Sequence, residues 1–157
     1  MLPVTATFIP AETKDLDVLI SLMSQMQADD PWSGPFEAAK ARTAVGTLIR
    51  DPALGRIWII AVGDQPIGYI VMTFDYSLEY NGKCAWVDEF FIQKDYRGKG
   101  FGSQALRFFE DAARSLGAKT IHLGVHHGNP AIELYRRAGF KKHDSYLMTK
   151  WIGGKRG

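Results

Sequence analysis

With 157 residues, 46% of them apolar, 23% charged and 12% aromatic, the chain has the length of one domain and the composition of a folded protein, which excludes disorder as its main state. Cys84 is the one cysteine, so no internal disulfide and no cysteine-rich zinc site is available. The net charge of +2 averages an uneven partition: residues 1–63 carry 5 bases and 7 acids, 64–95 carry 2 and 6, and 96–157 carry 12 and 4. A basic last third reads either as a nucleic-acid surface or as the partner of an anionic cofactor.

Glu12 to about Gln27 places Leu16, Leu19, Ile20, Leu22, Met23 and Met26 at helical spacing, behind a Thr13 able to cap. Asp29 to Pro35 breaks that pattern, and Phe36 to Ile49 resumes it until Asp51-Pro52. From Arg56 the residues turn β-branched and aromatic, which predicts strands over Ile57–Val62, Ile67–Phe74 and on toward Tyr80, and Ala85–Gln93. The turns between them hold Gly63-Asp64 and Asn81-Gly82, so the three strands are expected to be consecutive and antiparallel. Ser103 to Leu116 is a strongly amphipathic helix ended by Gly117, Thr120–Val125 a strand, and Asn129–Ala138 a short helix capped by its Asn. Phe140–Lys142 and Tyr146–Ile152 read as final strands, followed by a frayed tail from Gly153.

The expected architecture is α/β (α+β): one domain over residues 1–157, with a mixed, mostly antiparallel sheet of six to seven strands flanked by about four helices. No apolar run approaches the ~18 residues of a membrane span, and Met-Leu-Pro-Val-Thr lacks the features of a signal peptide. We therefore expect a cytoplasmic protein with no membrane partner and no bound metal.

Arg97-Gly98-Lys99-Gly100-Phe101-Gly102 stands between a strand and a helix, where unpaired N–H groups and the positive end of the helix dipole favour an anion. Two familiar phosphate motifs fail. Lys99 is followed by Gly100 rather than Ser or Thr, and Ser103 stands where a dinucleotide fingerprint needs its third glycine.

The stretch Val87-Asp-Glu-Phe-Phe-Ile-Gln-Lys-Asp-Tyr-Arg-Gly-Lys-Gly-Phe-Gly102 resembles the acetyl-CoA signature of the GNAT superfamily of N-acetyltransferases, Gln/Arg-x-x-Gly-x-Gly/Ala, with Arg97, Gly100 and Gly102 at its key positions. Asn129-Pro-Ala-Ile-Glu-Leu-Tyr-Arg-Arg-Ala-Gly-Phe140 is similar to the superfamily's second element, Asn…Tyr-x-x-x-Gly-Phe. The resemblance implies a GNAT fold and acetyl-CoA as cofactor, with coenzyme A as product. It implies pyrophosphate contacts from Arg97, Gly98, Lys99, Gly100, Phe101, Gly102 and Ser103. Backbone pairing of the pantetheine arm would fall to Phe91 and Ile92, with Asn129, Ile132 and Tyr135 near the same arm.

Acetyl transfer to an amine requires loss of a proton from an ammonium of pKa near 10.4. Asp88 and Glu89 are the acids placed to take it. Asp-Glu-Phe-Phe is similar to the acidic pair of diamine and polyamine acetyltransferases; by that likeness Asp88 removes the proton through water and Glu89 binds the substrate cation, although strand parity does not separate the two. Tyr135, by the motif, protonates the leaving thiolate. Trp32, in the loop 29–35, and the segment 75–79 are expected to select the acceptor. His122 reads as structural, and His126-His127 lie beside the cleft.

The expected reaction joins acetyl-CoA to the primary amine of a small molecule: a polyamine, diamine, aminoglycoside or amino acid. A protein N-terminal or lysine acetyltransferase and a non-catalytic acyl-CoA sensor are the alternatives. No nucleic-acid partner is expected, because no aromatic-interleaved basic face is visible. A homodimer is compatible with the family and is not indicated by the residues.

Overall fold

The structure, a computed structural model, describes residues 2–30 and 34–154, so Trp32 lies outside the described residues. Four strands form an antiparallel run, β1 (Thr7–Pro10), β2 (Gly55–Val62), β3 (Gln65–Ser77) and β4 (Gly82–Ile92), and β5 (Thr120–Leu123) joins β4 in parallel. The sheet order is β1-β2-β3-β4-β5. Four α-helices accompany it: α1 (Leu16–Asp29), α2 (Ala38–Arg50), α3 (Phe101–Ser115) and α4 (Ala131–Arg137). Among the described residues no helix is long and apolar enough to cross a membrane.

The sheet divides the core in two. On one face α3 sets Phe101, Ala105, Phe109 and Ala113 against Ile60, Ile70, Met72 and Val87. On the other, α1 and α2 bring Leu19, Leu22, Met23 and Val45 onto Ile57, Ile59, Tyr69 and Val71. Alternation along β2 and β3 feeds both layers, so these strands read as continuous apolar runs. Burying a residue such as Leu19 or Ile60, both wholly inaccessible, is worth about 1.5–3 kcal/mol each.

Three expectations are corrected. The sheet has five strands among the described residues, not six to seven. Phe140–Lys142 and Tyr146–Ile152 form no strand, and every residue from Lys141 to Gly154 is exposed. Strand pattern alone does not make a strand; the backbone groups need a neighbouring chain, and none lies beside this segment. Conversely β1 escapes the sequence reading, because four residues ending in a proline carry little pattern. Pairing with β2 from Thr7↔Ala61 to Pro10↔Trp58 fixes it, and Phe8 stacks on Phe108 of α3 with ring centroids 4.4 Å apart. Ahead of α1 the chain makes a 3-10 turn, Thr13–Asp15, in which the Asp15 carboxylate accepts the Glu12 N–H at 2.8 Å, and Thr13 caps neither this turn nor α1.

Candidate active site

The register between β3 and β4 slips at one point: Met72 faces Val87 while Val71 faces Glu89, leaving Asp88 as the extra residue of a β-bulge. The bulge inverts the alternation. Ala85 and Val87 belong to the α3 side, and after the bulge it is Phe90 and Ile92 that do so, which sends Glu89 to the α1/α2 side with Tyr69 and Phe91. β5 pairs with β4 only from Cys84 to Val87. Among the described residues the β4 edge from Asp88 to Ile92 therefore has no strand on that side, and β4 and β5 part where the bulge sits.

Glu89 is half-buried and accepts a hydrogen bond from the Tyr69 hydroxyl at 2.8 Å. Burial pushes its carboxyl above the usual range, the Tyr69 bond opposes this, and the charge of Asp88 adds to the rise. Asp88 is also raised, by burial alone, although it keeps solvent contact. Burial and the negative charge of Glu89 hold the Tyr69 phenol far above its ordinary value, so it remains a donor. Nothing in the sequence pattern singled out Tyr69, which reads as one more aromatic of a buried strand.

The chain leaves β4 through a short 3-10 turn, Lys94–Tyr96, and enters α3 over Gly100. Gly98 and Gly100 have φ of +72° and +88°, values that side-chain-bearing residues avoid. In this turn the Arg97 N–H is taken by the Lys94 carbonyl, and the next backbone donor engaged is that of Gln104, on Gly100. Among the described residues, the N–H groups of Gly98, Lys99, Gly100, Phe101, Gly102 and Ser103 have no partner within the chain. Six unclaimed donors at a helix start form a nest for an anion. A diphosphate fits this chemistry. Acetyl-CoA carries one, together with an arm of amides matched to a bare strand edge.

The structure places the sequence-predicted site residues in different surroundings. Arg97 is tied down: its Nε donates to the Ile92 carbonyl at 2.7 Å and its Nη2 to Asp29 at 2.9 Å. That bond, ahead of Lys94 nearby, holds the Asp29 carboxyl below its usual range. The guanidinium thus fastens the turn to the end of α1. A cavity of about 460 Å³ opens at the turn, lined by Lys99, Gly100, Phe101, Ser103, Gln104 and Arg107 together with Pro3 and Val4. Arg107, like Tyr69, was not among the residues expected from the sequence; its signal is helical spacing, since it lies one turn beyond Ser103 on α3.

Gly102 has an ordinary φ, and what its missing Cβ leaves room for is the Leu134 side chain, 2.9 Å from where that atom would stand. α4 is in this way seated against the start of α3. On α4, Tyr135 is half-buried with its ring against the edge of Phe140, centroids 6.0 Å apart, and burial raises its phenol above the ordinary value. Asn129 caps the helix through Oδ1 to the Ala131 N–H at 2.9 Å, and Ile132 lies half-buried in the first turn. The segment 75–79 falls at the hairpin end of β4, away from the glycine turn, with Tyr76 and Leu78 exposed. His122 packs between Tyr80 and Trp86, each with ring centroids 5.1 Å away, while His126 and His127 are exposed beyond β5.

A turn of unclaimed amides at a helix start thus follows a strand edge left bare beyond a bulge. Comparison with protein families names the class: residues 20–140 match the Acetyltransferase (GNAT) family, and the chain belongs to it. Over 73 residues it is 37% identical to an uncharacterized N-acetyltransferase of Bacillus subtilis (strain 168), covering 46% of this chain and 47% of the relative. Over 63 residues it is 40% identical to a spermine/spermidine N(1)-acetyltransferase of the same organism, covering 39% and 41%. The matches span less than half the length of these curated relatives.

Among solved structures, an integron cassette protein from the mobile metagenome of Cole Harbour Salt Marsh is 32% identical at a TM-score of 0.83, covering 94% of this chain and 91% of that one. A predicted acetyltransferase with acetyl-CoA from Clostridium acetobutylicum shares the fold at a TM-score of 0.77 and 18% identity, covering 93% and 96%.

Proposed function

We propose that the protein is an acetyl-CoA-dependent N-acetyltransferase acting on the primary amine of a small molecule, with both substrates bound together. The observation that carries this reading is the run of unclaimed amides from Gly98 to Ser103 ending beside the open β4 edge at Asp88–Ile92. Acetyl-CoA supplies an activated acyl group as a thioester. The amides, with Lys99 and Arg107, hold the phosphates; backbone groups of Phe91 and Ile92 align the pantetheine arm as an added strand.

Asp88, solvent-touching at the bulge, accepts the proton of the incoming ammonium directly or through one water, and burial, by raising its carboxyl above the usual range, makes it a stronger base than a free carboxylate. Glu89, fixed by Tyr69, faces the cationic substrate. The Tyr135 phenol, raised by burial, stays protonated across the working range and donates to the departing sulfur. A small polycation suits two adjacent acids, and the likeness to a spermine/spermidine N(1)-acetyltransferase supports that acceptor class.

The test is thiol release from acetyl-CoA across a panel of diamines, polyamines, aminoglycosides, amino acids and peptides, run with the native chain and with Tyr135→Phe. Turnover confined to small amines, with kcat about 10²–10⁴-fold lower in the variant and unchanged acetyl-CoA affinity, is expected. Turnover on peptides alone, or an unaffected variant, contradicts the assignment.

A further inference from the structure

The chain ahead of β1 is held to α3 by one side chain. Oε1 of Gln104 accepts the Ala6 N–H at 2.8 Å, and its Nε2 donates to the Val4 carbonyl at 3.2 Å. Ala6 is buried and stands ahead of the first β1 pair, Thr7↔Ala61, so without Gln104 its N–H would have no partner in the chain. Two residues on, Phe8 stacks on Phe108. Four residues of helix rise about 6 Å and two of extended chain about 6.6 Å. The segment therefore keeps step with α3 as it runs down to the glycine turn.

There Pro3 and Val4 form one side of the cavity of about 460 Å³ that Lys99, Ser103 and Arg107 line from the turn and from α3. Among the described residues no carboxylate lines it, and neither Lys99 nor Arg107 forms an ion pair. Cations on one wall and apolar chain on the other suit a group that joins a phosphate to a flat ring. Arg107 stands about 6 Å of helix rise beyond Ser103, the last of the unclaimed amides. A phosphate separate from the one on the amides would meet it there.

We infer that Gln104 is a positioning residue for the cofactor: by clamping residues 4–6 to α3 it makes Pro3 and Val4 the wall of a subsite for the 3′-phosphorylated adenosine of acyl-CoA. On the acyl-CoA reading proposed above, the amides from Gly98 to Ser103 take the diphosphate, the adenine lies against Pro3 and Val4, and Arg107 pairs with the 3′-phosphate. Gln104 is half-buried with both ends of its carboxamide engaged, so it acts through the segment it holds and not on the ligand. The subsite favours a thioester that carries the nucleotide over the same thioester without it.

The test is to titrate coenzyme A, and 4′-phosphopantetheine, which keeps the arm and lacks the adenosine, into the labelled native chain, Gln104→Met and the double variant Pro3→Ser, Val4→Ser. Backbone amide resonances report affinity in each case. Methionine fills the glutamine volume without either bond, and the double variant alters exposed sites only, so a folding defect in the first leaves the second to decide. The native chain is expected to hold coenzyme A at least about tenfold more tightly than phosphopantetheine. Both variants should lose about tenfold for coenzyme A, the worth of one or two hydrogen bonds or a buried valine, and less than about twofold for phosphopantetheine. Coenzyme A affinity that survives in either folded variant overturns the inference. So does an equal loss for both ligands, which would put the damage at the amide turn, or a native chain that binds the two equally. A native chain that binds neither ligand overturns the acyl-CoA reading itself, whereas native binding with unaffected variants removes the subsite alone.

Discussion

Asp88 and Glu89 are neighbours in sequence, and the bulge at Asp88 gives them different surroundings: one touches solvent, the other sits on the α1/α2 face against a tyrosine. Their substitutions should separate. On the proposed roles, Asp88→Asn should lower kcat about 10²–10⁴-fold by loss of the proton acceptor while the Michaelis constant of the amine changes little. Glu89→Gln should chiefly raise that constant; steady-state kinetics with a diamine resolves the two, and equal effects on both parameters would contradict the division of roles. The raised carboxyl of Glu89 also fixes a sign for stability. Its folded pKa lies above the unfolded one, so the contribution of this group to stability is greatest below the ordinary carboxylate range and is lost as pH rises through the window up to the folded value. Glu89→Gln, which cannot ionise and still accepts the Tyr69 bond, should melt higher than the native chain at neutral pH. The gain should vanish in acid. The acids themselves were legible from type and position; their separation was not, because it depends on which residue the register leaves unpaired, and Tyr69 carries no polar signature in its strand.

Among the elements, the three central strands, α1, α2 and α3 follow the periods of their apolar residues, and the glycine turn was visible as a motif. What its glycines do was only partly visible. Gly98 and Gly100 supply the left-handed backbone, whereas Gly102 makes room for Leu134 and so seats α4. Gly102→Ala meets the end of a flexible side chain and should cost less than about 1.5 kcal/mol. Gly68→Ala is a different matter: a Cβ there would stand 2.0 Å from the Phe91 carbonyl oxygen of the paired strand, forcing β3 from β4 at a cost on the order of 3 kcal/mol or more. Urea unfolding of both variants checks the contrast, and a comparable loss in the two would mean that the strands can part freely. β1 and the segment 146–152 mark the limits of reading in opposite directions. The first has little pattern and a neighbour that orders it; the second has the pattern of a strand and, among the described residues, no neighbouring strand.

Across the whole molecule the charge partition takes on a spatial meaning. The acidic 64–95 stretch contains β3, β4 and the pair at the bulge, while Lys99 and Arg107 flank the turn of free amides. Opposite fields at the two substrate sites should steer both encounters, so kcat/KM for acetyl-CoA and for a polyamine should each fall as salt is raised toward the range where the screening length is about 8 Å. A flat response for both would remove steering from the account. The central claim is that the backbone between Gly98 and Ser103 grips the diphosphate of an acyl-CoA. Titrating coenzyme A into isotopically labelled protein and following the backbone amide resonances tests it most directly. The account predicts large, saturable shifts at Gly98, Lys99, Gly100, Phe101, Gly102 and Ser103, lost in Gly100→Asp; saturable binding that leaves those six resonances unmoved would contradict it.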